Sequence, residues 1–425
     1  MTSAAPSRIA VIGAGIVGLT AALELRRSGH EVVLLEPEEA GGRQAASYGN
    51  GCWLNPGAIF PISLPGLWRD VPGFLLDPTG PFVIRWRDLP GIVPWLVRFV
   101  LAGRNWSLVE RCATARFALC RTAVDEHAAL AAQAGVPELL RRQGLMFVYR
   151  DRAEFLVEER VWRMREAFGV AFSEIGEDEL RRIQPQLGPG YRFGARIDDG
   201  AQVFDPGAYC RALLHLAIAR GVGHVATRAT GFVREGARLR AVRTAQGDIA
   251  CDKAVIAAGI GSARLAREAG DAVPLISERG YHVVVPNPGF DVPTGLMPSD
   301  GKMAVVSTAQ GLRVAGQVEL AAVETAPDWR RAEILLGYAK RMFPALAPRI
   351  EAGTVDRWMG HRPSTPDGLP CIGPSSASPD IFHCFGHAHT GLIQAPSSAR
   401  LLAALVDGRT PPFDPAPYAA RRFGR

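Results

Sequence analysis

Three glycines near the start of the chain have the spacing of a phosphate-binding turn. Gly13, Gly15 and Gly18 form a G-x-G-x-x-G pattern, and Glu36 follows about 20 residues later. Gly13 allows a tight turn, Gly15 lets a phosphate approach the backbone, and Gly18 lets a helix pack closely against a strand. The Glu36 carboxylate can accept hydrogen bonds from a ribose diol. The pattern therefore predicts a dinucleotide site, although FAD and NAD share it.

The elements around these glycines are those that such a site requires. Residues 8–12 (RIAVI) predict a short buried parallel strand, residues 19–27 (LTAALELRR) predict a helix, and residues 31–36 (EVVLLE) predict a second strand. Together they form a βαβ unit, and the free N–H groups at the start of the helix suit a pyrophosphate. This context favours a dinucleotide site over a glycine-rich turn in an unrelated α/β fold.

Other residue types that could do chemistry lack a matching pattern. The chain has seven cysteines and no C-x-x-C pair, so neither a disulfide framework nor a zinc site is expected. Five histidines of the C-terminal half also lack the spacing of metal ligands; they are His282, His361, His383, His387 and His389. We therefore predict no metal site and a location in the reducing cytoplasm.

Composition and charge exclude several classes of protein. Of the 425 residues, 48% are hydrophobic and 21% are charged, which is typical of a globular chain with two or more domains. The net charge of +6 comes from scattered basic residues, so no nucleic-acid partner is expected. The N-terminus lacks the pattern of a secretory signal, and no apolar run reaches about 20 residues, so no membrane-spanning helix is expected.

The chain alternates between two kinds of segment. It opens with the nucleotide-binding unit, leaves it, returns through a buried strand at residues 253–259 (KAVIAAG), leaves again and returns at its end. The other segments are rich in strands, as in residues 280–320. This order predicts a discontinuous α/β cofactor domain that alternates with a β-rich domain. Because only one complete fingerprint is present, a reductase or monooxygenase fed by NAD(P)H is disfavoured.

Residues 60–106 form a segment rich in proline and tryptophan. Two hypotheses remain for it. The segment packs as an excursion that caps a pocket, which is the hypothesis we favour. Alternatively, it forms a lid or a membrane-surface element.

Six motifs occur in an order that resembles a known family. They are VIGAGIVGLTAALEL with Glu36, SYGNG at residues 47–51, VIAAGIGSARLA at 255–266, SERGYHVVV at 277–285, GHRPSTPDGLPCIGP at 360–374 and GHAHTGLIQAPSSARLLAALV at 386–406. On these motifs the chain resembles the D-amino-acid oxidase superfamily of flavoproteins over nearly its whole length. It resembles most closely the bacterial D-amino-acid dehydrogenase branch.

The resemblance implies FAD as the cofactor and a definite fold. An α/β fold, α+β overall, is expected, with a discontinuous Rossmann-like FAD-binding domain (residues 1–88, 196–275 and 355–425) and a β-rich substrate-binding domain (residues 89–195 and 276–354). Residues 386–391 are expected to open a helix that runs to Val406. In similar enzymes this helix end faces the flavin pyrimidine ring, where it stabilises negative charge on the reduced flavin. The expected FAD contacts are Gly13, Gly15, Ile16, Val17, Gly18, Glu36, Arg43, Ser47, Asn50, Gly51, Ala258, Gly259, Gly386, His387, Thr390, Gly391 and Leu392.

The reaction implied by the resemblance is an oxidative deamination. A hydride passes from the α-carbon of the amine to flavin N5, and water hydrolyses the resulting imine to a keto acid. The implied substrate is a D-amino acid, or a secondary amino acid such as D-proline or hydroxyproline, and the implied electron acceptor is a quinone or another acceptor that is not oxygen. Arg362 is expected to hold the substrate carboxylate, Tyr281 to make a second contact, and His389 to lie beside the flavin or the substrate. Arg313 is the alternative anchor, in which case Arg362 ties down its own loop through backbone carbonyls.

Several alternatives stay open at this point. The chain could be a glycine- or sarcosine-type amine oxidase that uses oxygen, or an FAD-binding subunit that needs partner chains for turnover. Cys371 and Cys384 fit small core residues better than a covalent flavin tether. The expected location is the cytoplasm, and peripheral contact with the inner face of the plasma membrane extends the quinone hypothesis. The sequence leaves the oligomeric state open.

Overall fold

The predicted βαβ unit opens the fold. The computed structural model, which describes residues 6–69, 73 and 80–424, forms it from strand β1 (Arg8–Ile12), helix α1 (Ile16–Arg27) and strand β2 (Glu31–Leu35). The last four residues of each strand are buried, as expected for parallel strands that are covered on both faces. The two strands are parallel and end side by side, so the residues that follow them meet at one edge of the sheet.

The remaining strands and helices alternate along the chain. The other strands are β3 (Trp53–Leu54), β4 (Phe82–Ile84), β5 (Leu140–Arg141), β6 (Leu145–Tyr149), β7 (Ser173–Ile175), β8 (Phe193–Ile197), β9 (Ala201–Val203), β10 (Gly223–Val225), β11 (Ala229–Glu235), β12 (Arg238–Thr244), β13 (Gly247–Ala250), β14 (Lys253–Ile256), β15 (Ile276–Val285), β16 (Gly295–Pro298), β17 (Ala304–Thr308), β18 (Gly311–Leu320), β19 (Asp356–Ser364), β20 (Cys371–Pro374) and β21 (Ile381–Phe385). The other α-helices are α2 (Leu89–Ala102), α3 (Trp106–Cys120), α4 (Ala123–Gln133), α5 (Arg152–Val157), α6 (Glu159–Ala167), α7 (Glu177–Ile183), α8 (Pro206–Ala219), α9 (Ser262–Glu268), α10 (Arg330–Met342), α11 (Ala347–Ala352) and α12 (Gly391–Val406).

The first sheet has the order β10-β2-β1-β14-β21-β20. Its strands from β10 to β21 are parallel, and only β20 at the edge runs antiparallel. Helices α1, α8 and α12 cover one face, and the small antiparallel sheet β11-β12-β13 with α9 covers the other. The carboxyl ends of β1, β2, β14 and β21 therefore meet at one edge, which is where open parallel sheets bind their ligands.

The second sheet, built from the described residues, has the order β19-β15-β18-β17-β16-β6-β8-β7, and β4 also pairs with β18. Helix α10 packs against one face of its long central strands. The opposite face of β15 and β19 contacts the loop at residues 47–51, which follows β2. A small sheet β3-β9-β5 lies beside this loop. The mixed architecture is that of the predicted α/β fold with a β-rich second part.

Two strands lie on the other side of the predicted domain boundaries. The sequence assigned β4 to the FAD-binding segment 1–88 and β19 to the segment 355–425, but both pair within the second sheet. The nine residues of β19 pair with β15 along their whole length, from Asp356 opposite Val284 to Ser364 opposite Ile276. The chain therefore returns to the cofactor sheet only after Ser364.

The segment at residues 60–106 is described only in part, because residues 70–72 and 74–79 lie outside the described residues. Its helix α2 buries Ile92, Trp95 and Phe99 against β4 and β18, as the packed-excursion hypothesis predicts. The opposite side of α2 exposes an apolar row at positions 93, 97 and 101. Among the residues that the structure describes, no helix combines the length and the apolar character needed to cross a bilayer.

Candidate active site

Gly13 and Gly18 are glycines because the chain packs against itself at both positions. Gly13 has a φ of 107°, and a Cβ there would lie 2.5 Å from the carbonyl oxygen of Ala257 at the end of β14. A Cβ at Gly18 would lie 1.9 Å from the carbonyl oxygen of Gly13. These two glycines therefore bring β1, α1 and β14 into contact, as their spacing predicts.

Gly15 has a different reason to be a glycine. It caps the N-terminus of α1 and, as a glycine, has no side chain to accept a hydrogen bond from the first turn. A Cβ at Gly15 would meet only the Ser47 hydroxyl within 4 Å, at 3.4 Å, so packing within the chain does not require glycine here. The space in front of Gly15, Ile16 and Val17 is thus open to an anionic group that approaches the first turn of α1, and an FAD pyrophosphate fits this donor-rich cradle.

Glu36 is held at the end of β2 by backbone donors. Its Oε2 accepts a hydrogen bond from the Ala14 N–H at 2.9 Å, and its Oε1 accepts one from the Glu38 N–H at 3.3 Å. The side chain is half-buried at the same sheet edge as Gly15. The carboxylate is therefore fixed beside the glycine-rich turn and keeps lone pairs for a ribose diol, as the sequence predicts.

The loop at residues 47–51 connects the two parts of the site. The Ser47 hydroxyl accepts a hydrogen bond from the Ile16 N–H at 3.0 Å, and Asn50 Oδ1 accepts one from the Cys52 N–H at 2.9 Å. A Cβ at Gly51 would lie 3.0 Å from the side chain of Ala304 on β17. Ser47 therefore touches the start of α1, while Asn50 and Gly51 shape the turn that faces the second sheet.

Arg313 on β18 holds this loop through hydrogen bonds to its backbone. Its Nη1 donates to the carbonyl oxygens of Tyr48 at 3.0 Å and Asn50 at 3.1 Å, and its side chain is buried. A guanidinium that is buried under a loop and occupied by the loop's carbonyls is poorly placed to receive a ligand carboxylate. The geometry gives Arg313 the role of a clamp and favours Arg362 as the anchor.

The space between the carboxyl edge of the first sheet and the face of β15 and β19 that carries Arg362 is called the crevice below. Arg43 lies outside it. Its guanidinium pairs with the Asp356 carboxylate at 2.9 Å and donates to the carbonyl oxygen of Arg357 at 2.8 Å, at the beginning of β19. Its side chain is exposed. The structure therefore does not bring Arg43 together with Gly15 or Glu36, because its nearest anion belongs to the opposite sheet.

The segments after β14 and β21 complete the sheet edge. The Ala257 N–H donates to the carbonyl oxygen of Ile12, which ties the end of β14 to the end of β1. Gly259 has a φ of 54° and would place its Cβ in open space, and Ala258 beside it is half-buried. Gly386 has a φ of 87°, which turns the chain sharply after β21. These turns leave the backbone accessible along the edge.

The N-terminus of α12 follows that turn. The His387 side chain points away from the sheet edge and meets the Ser398 hydroxyl at 3.0 Å, and burial with the nearby Arg116 cation lowers the pKa of His387 to about 3. Thr390 Oγ1 donates to the His387 carbonyl oxygen at 3.0 Å. Gly391 and Leu392 open the helix, so the backbone of residues 387–392, rather than the His387 ring, borders the crevice.

His389 lies at the same helix end, and its side chain is exposed. Desolvation lowers the pKa of His389 to about 4, while Glu278 raises it and the cations Arg116 and Arg362 lower it further. His389 therefore lies between the cofactor sheet and the face of β15 and β19. Its imidazole is neutral at neutral pH.

Arg362 lies on the face of β15 and β19 that is turned toward the first sheet, and only the Nη1 atom of its guanidinium is hydrogen bonded to protein. Nη1 donates to Glu278 Oε1 at 3.2 Å and to the carbonyl oxygen of Gln317 at 3.1 Å, while Glu278 Oε2 accepts a hydrogen bond from the Ser364 hydroxyl at 2.8 Å. The guanidinium lies over Gly280, where a Cβ would come within 2.2 Å of it. Nε and Nη2 donate to none of the described residues, and the side chain is 21% exposed. One edge of the fork is thus fixed and the other is open.

Tyr281 lies on the opposite face of β15 from Arg362. Its hydroxyl donates to Glu319 Oε2 at 2.6 Å and accepts a hydrogen bond from the Asp328 N–H at 3.0 Å, beside α10. Alternate residues of a strand point to opposite faces, and Glu278, which pairs with Arg362, is three residues from Tyr281. The structure therefore does not bring the predicted second substrate contact together with the predicted anchor.

The two cysteines considered as flavin tethers lie inside the cofactor sheet. Cys371 on β20 and Cys384 on β21 are both fully buried. Burial raises the pKa of Cys371 to about 11 and that of Cys384 to about 12, so both thiols stay protonated. Their environment is that of small core residues.

Sequence reasoning missed two charged residues of the site. Glu278 lies two residues before Gly280 in the motif at residues 277–285. Because alternate residues of a strand share a face, this spacing indicates that Glu278 and Gly280 lie on the same face of β15. Arg116 on α3 belongs to no motif. Its contacts with Ala58, Gly368 and Thr390 join residues that are far apart in the sequence, so no local signal could have found them.

Known proteins resemble this chain over nearly its whole length. The model of the DAO family, described as FAD dependent oxidoreductase, matches residues 8–405. The chain is 46% identical over 415 residues to a D-amino-acid oxidase of Bradyrhizobium diazoefficiens, with 98% of each chain covered. It is 32% identical over 431 residues to D-amino acid dehydrogenase 2 of Ralstonia nicotianae, with 98% of this chain and 100% of that one covered.

Solved structures share the fold at low sequence identity. The glycine oxidase of Geobacillus kaustophilus superposes with a TM-score of 0.72 at 20% identity, covering 99% of each chain. The L-proline dehydrogenase of P. horikoshii superposes with a TM-score of 0.73 at 20% identity, covering 98% of each chain. At such identities the likeness establishes the fold alone. By its sequence and its fold, the chain belongs to the DAO family of FAD-dependent oxidoreductases, and FAD is its cofactor.

Proposed function

We propose that this enzyme oxidises the Cα–N bond of a D-amino acid, or of a secondary amino acid such as D-proline or hydroxyproline, to an imine that water hydrolyses to a keto acid. The observation that carries the proposal is the open edge of Arg362, a half-buried guanidinium with Nε and Nη2 unoccupied by the described residues. Two relatives named for D-amino-acid oxidation support the choice of substrate.

Arg362 binds the substrate carboxylate in this proposal. The planar fork pairs with a carboxylate through two parallel hydrogen bonds and stays charged when water is excluded. Glu278 and the Gln317 carbonyl hold the other edge, so the fork is oriented before the substrate arrives. Ser364 in turn fixes Glu278. The α-carbon is thereby placed at a set distance from β19 and directed toward the sheet edge.

His389 contacts the substrate amine from the opposite wall. Because its pKa is lowered to about 4, its imidazole is neutral at neutral pH and can hydrogen bond to an amine without adding a charge. The bound amine must itself be neutral before it loses a hydride. No dedicated base is assigned, because a neutral amine that binds directly needs none.

The residues that would hold FAD lie along the carboxyl edge of the first sheet. When bound, FAD supplies the acceptor for the hydride at its N5 atom. Gly15, Ile16 and Val17 would hold the pyrophosphate, and Glu36 would hold the ribose. The loop at residues 47–51 and the N-terminus of α12 would border the flavin ring, with the positive end of α12 facing the pyrimidine side.

Variants of Arg362 test the anchor. Arg362→Lys keeps the charge and loses the fork, so the KM for amino acids should rise by roughly tenfold or more while FAD stays bound. Arg362→Ala should cost about 2–5 kcal/mol in kcat/KM, the range for truncating one partner of a buried charge pair. An amine without a carboxylate should lose much less. Arg357→Ala is the matched control, because Arg357 lies on the same strand, faces away and pairs with Glu333.

Unchanged kinetics of the Arg362 variants would contradict the proposed anchor. If Arg362→Ala keeps near-normal kcat/KM for carboxylate substrates, the anchor lies elsewhere. A screen of D- and L-amino acids, glycine and sarcosine for anaerobic bleaching of the flavin then separates the remaining functions. Bleaching by glycine or sarcosine in preference to D-amino acids would favour the amine-oxidase alternative. FAD that no amine reduces would favour a subunit that depends on partner chains.

For the electron acceptor we propose a quinone or another acceptor that is not oxygen, reached at a membrane surface. Val93, Val97 and Leu101 form an apolar row on the outer side of α2, and Trp68 is exposed nearby in the sequence. On its inner side α2 reaches the candidate site, because Trp95 Nε1 donates to the Ser364 carbonyl oxygen at 3.1 Å. An amphipathic helix of this kind suits an interfacial position.

Oxygen is the second candidate acceptor, since the relative at 46% identity is named an oxidase. Dye reduction should outpace hydrogen peroxide formation if the first proposal holds, and equal rates would favour oxygen. Flotation with liposomes tests the surface. The wild-type enzyme should float with the vesicles and the triple variant Val93→Ser, Val97→Ser, Leu101→Ser should not. Absence of wild-type binding would remove the membrane contact and leave the rest of the proposal in place.

A further inference from the structure

Arg116 is a buried cation with no acidic partner. It lies on α3 with 1% of its surface exposed. Its Nε and Nη2 donate to the Ala58 carbonyl oxygen, Nη1 donates to that of Gly368 at 2.6 Å, and Nη2 also donates to Thr390 Oγ1 at 3.2 Å. All of these acceptors are neutral, and Arg116 forms no ion pair with any acidic residue that the structure describes. A buried charge left in this state is costly.

Arg116 differs from other buried arginines of the described chain in where its guanidinium reaches. Arg279 pairs with Glu319, whereas Arg165 and Arg313, like Arg116, form no ion pair and donate to backbone carbonyls. Of these four arginines, only Arg116 also donates to a residue at the N-terminus of α12, which is Thr390. An anion held at that helix end during turnover would supply the counter-charge that Arg116 lacks.

The position of Arg116 indicates which anion this is. Thr390, one of its acceptors, is the N-cap of α12, so the guanidinium adds its full charge to the positive end of that helix. The Arg116 cation also contributes to the lowered pKa values of His387 and His389, which both precede Thr390 in the same turn. Its field thus reaches the edge of the crevice where the flavin ring is placed.

We propose that Arg116 supplies positive charge behind the N-terminus of α12. It acts through that helix end to stabilise the negative charge that the flavin gains on reduction. The inference rests on the proposed placement of the flavin ring at that helix end. Two electrons and one proton delivered as a hydride leave the reduced ring with a net negative charge unless a further proton is taken up. Arg116 makes the anionic form favourable and raises the reduction potential of the bound FAD.

A purely structural role predicts something different. In that case Arg116 would serve only to hold the turns that carry Ala58 and Gly368. Arg165 on α6 is the matched control, because its Nε donates to the Gly57 carbonyl oxygen of the same turn at 3.3 Å. Arg165 is likewise buried without an ion pair in the described chain, but it makes no hydrogen bond to α12. Loss of either arginine loosens the turn, whereas only loss of Arg116 removes the charge behind the helix.

The test compares Arg116→Gln, Arg116→Lys and Arg165→Gln as FAD-loaded enzymes. Two readouts need no amino-acid substrate: the midpoint potential of the flavin and the dissociation constant for sulfite, which adds to oxidised flavin where negative charge is stabilised. Arg116→Gln should lower the potential and weaken sulfite binding by about tenfold or more. Arg116→Lys and Arg165→Gln should both stay within about threefold of the wild type for sulfite.

The other possible outcomes of these measurements either overturn or support the proposed role of Arg116. An unchanged sulfite constant in Arg116→Gln, or an equal loss in Arg165→Gln or Arg116→Lys, overturns the proposal. Loss of FAD from both Arg116 variants overturns it in favour of a structural role. Loss of FAD from Arg116→Gln alone, with normal sulfite binding in Arg116→Lys, supports it. Because neither readout involves an amine, a failure here with normal D-amino-acid turnover leaves the proposed function intact.

Discussion

His127 Nε2 lies 2.8 Å from the carbonyl oxygen of Leu392, the carbonyl that Pro396 leaves without an intrahelical donor. Tyr209 Oη lies 2.9 Å from Nδ1 of the same ring. Since a carbonyl only accepts, the proton belongs on Nε2, and the tyrosine hydroxyl donates to Nδ1. A side chain from α4 therefore completes the first turns of α12 beside the crevice.

Burial of the His127 ring makes stability depend on acid pH, although the hydrogen bond to Leu392 acts in the opposite direction. Burial lowers the pKa of His127 from 6.5 to about 4, so between these values the unfolded chain binds the proton and the folded chain does not. Stability is therefore full above pH 6.5 and falls as the pH drops toward 4, by about 3 kcal/mol for this group. His127→Gln keeps a donor and removes the titration. Its Tm should fall less between pH 7 and pH 5 than the wild-type Tm, and parallel curves would contradict the assignment.

Gly15→Val and Gly18→Val should fail in different ways. A side chain at Gly15 meets only the Ser47 hydroxyl, so the apoprotein should fold with a near-normal Tm but purify without FAD. A side chain at Gly18 collides with the Gly13 carbonyl, so that variant should be destabilised by several kcal/mol or fail to fold. Flavin absorbance and thermal unfolding of the apoproteins are the measurements. A yellow Gly15→Val protein would refute the pyrophosphate cradle.

Tyr281→Phe separates packing from substrate contact. The hydroxyl bridges Glu319 and the Asp328 N–H on the face turned away from Arg362, so its loss leaves a buried carboxylate with fewer donors. We expect a destabilisation of about 1–3 kcal/mol, seen as a lower Tm, and a KM within about twofold of the wild type. A KM that rises as far as in Arg362→Lys would restore Tyr281 as a substrate contact.

Arg43→Ala should leave the cofactor in place. The side chain is exposed and paired with the exposed Asp356 carboxylate, so its removal should cost about 0–1 kcal/mol of stability. The dissociation constant for FAD, measured by flavin fluorescence on titration of the apoprotein, should change by less than about threefold. A tenfold or greater weakening would mean that Arg43 turns toward the cofactor when it binds.

The local parts of this fold could be predicted and the long-range pairings could not. Gly13, Gly15, Gly18 and Glu36 lie within one βαβ unit, whose geometry follows from strand, turn and helix patterns alone. The partner of Arg362 depends on the register between β15 and β19, which joins residues 84 positions apart. Sequence alternation gives two faces for β15 but does not say which one meets the crevice, and this is why Tyr281 was placed on the wrong side.

A bulge in β18 added a further obstacle. Gln317 has a φ of 58° and sits where the pairing with β15 shifts by one residue. Its carbonyl oxygen is thereby free to accept a hydrogen bond from Arg362. Glutamine carries no mark of a bulge, since nothing in its side chain favours a positive φ, and so the residue that orients the anchor was invisible in the sequence.

The strand order of the first sheet also dictates when the enzyme can take up its cofactor during synthesis. β14 lies between β1 and β21, yet β1 leaves the ribosome roughly 240 residues before β14 and roughly 370 before β21. At about 5–20 residues per second, the phosphate-binding turn waits tens of seconds for the strand that supports it. Until residues 381–406 emerge, β14 has an open edge and α1 lacks the helix that packs beside it. The sheet edge that would hold the flavin is therefore incomplete until residues 381–406 have been synthesised, and the open strand edge is prone to aggregation in this interval.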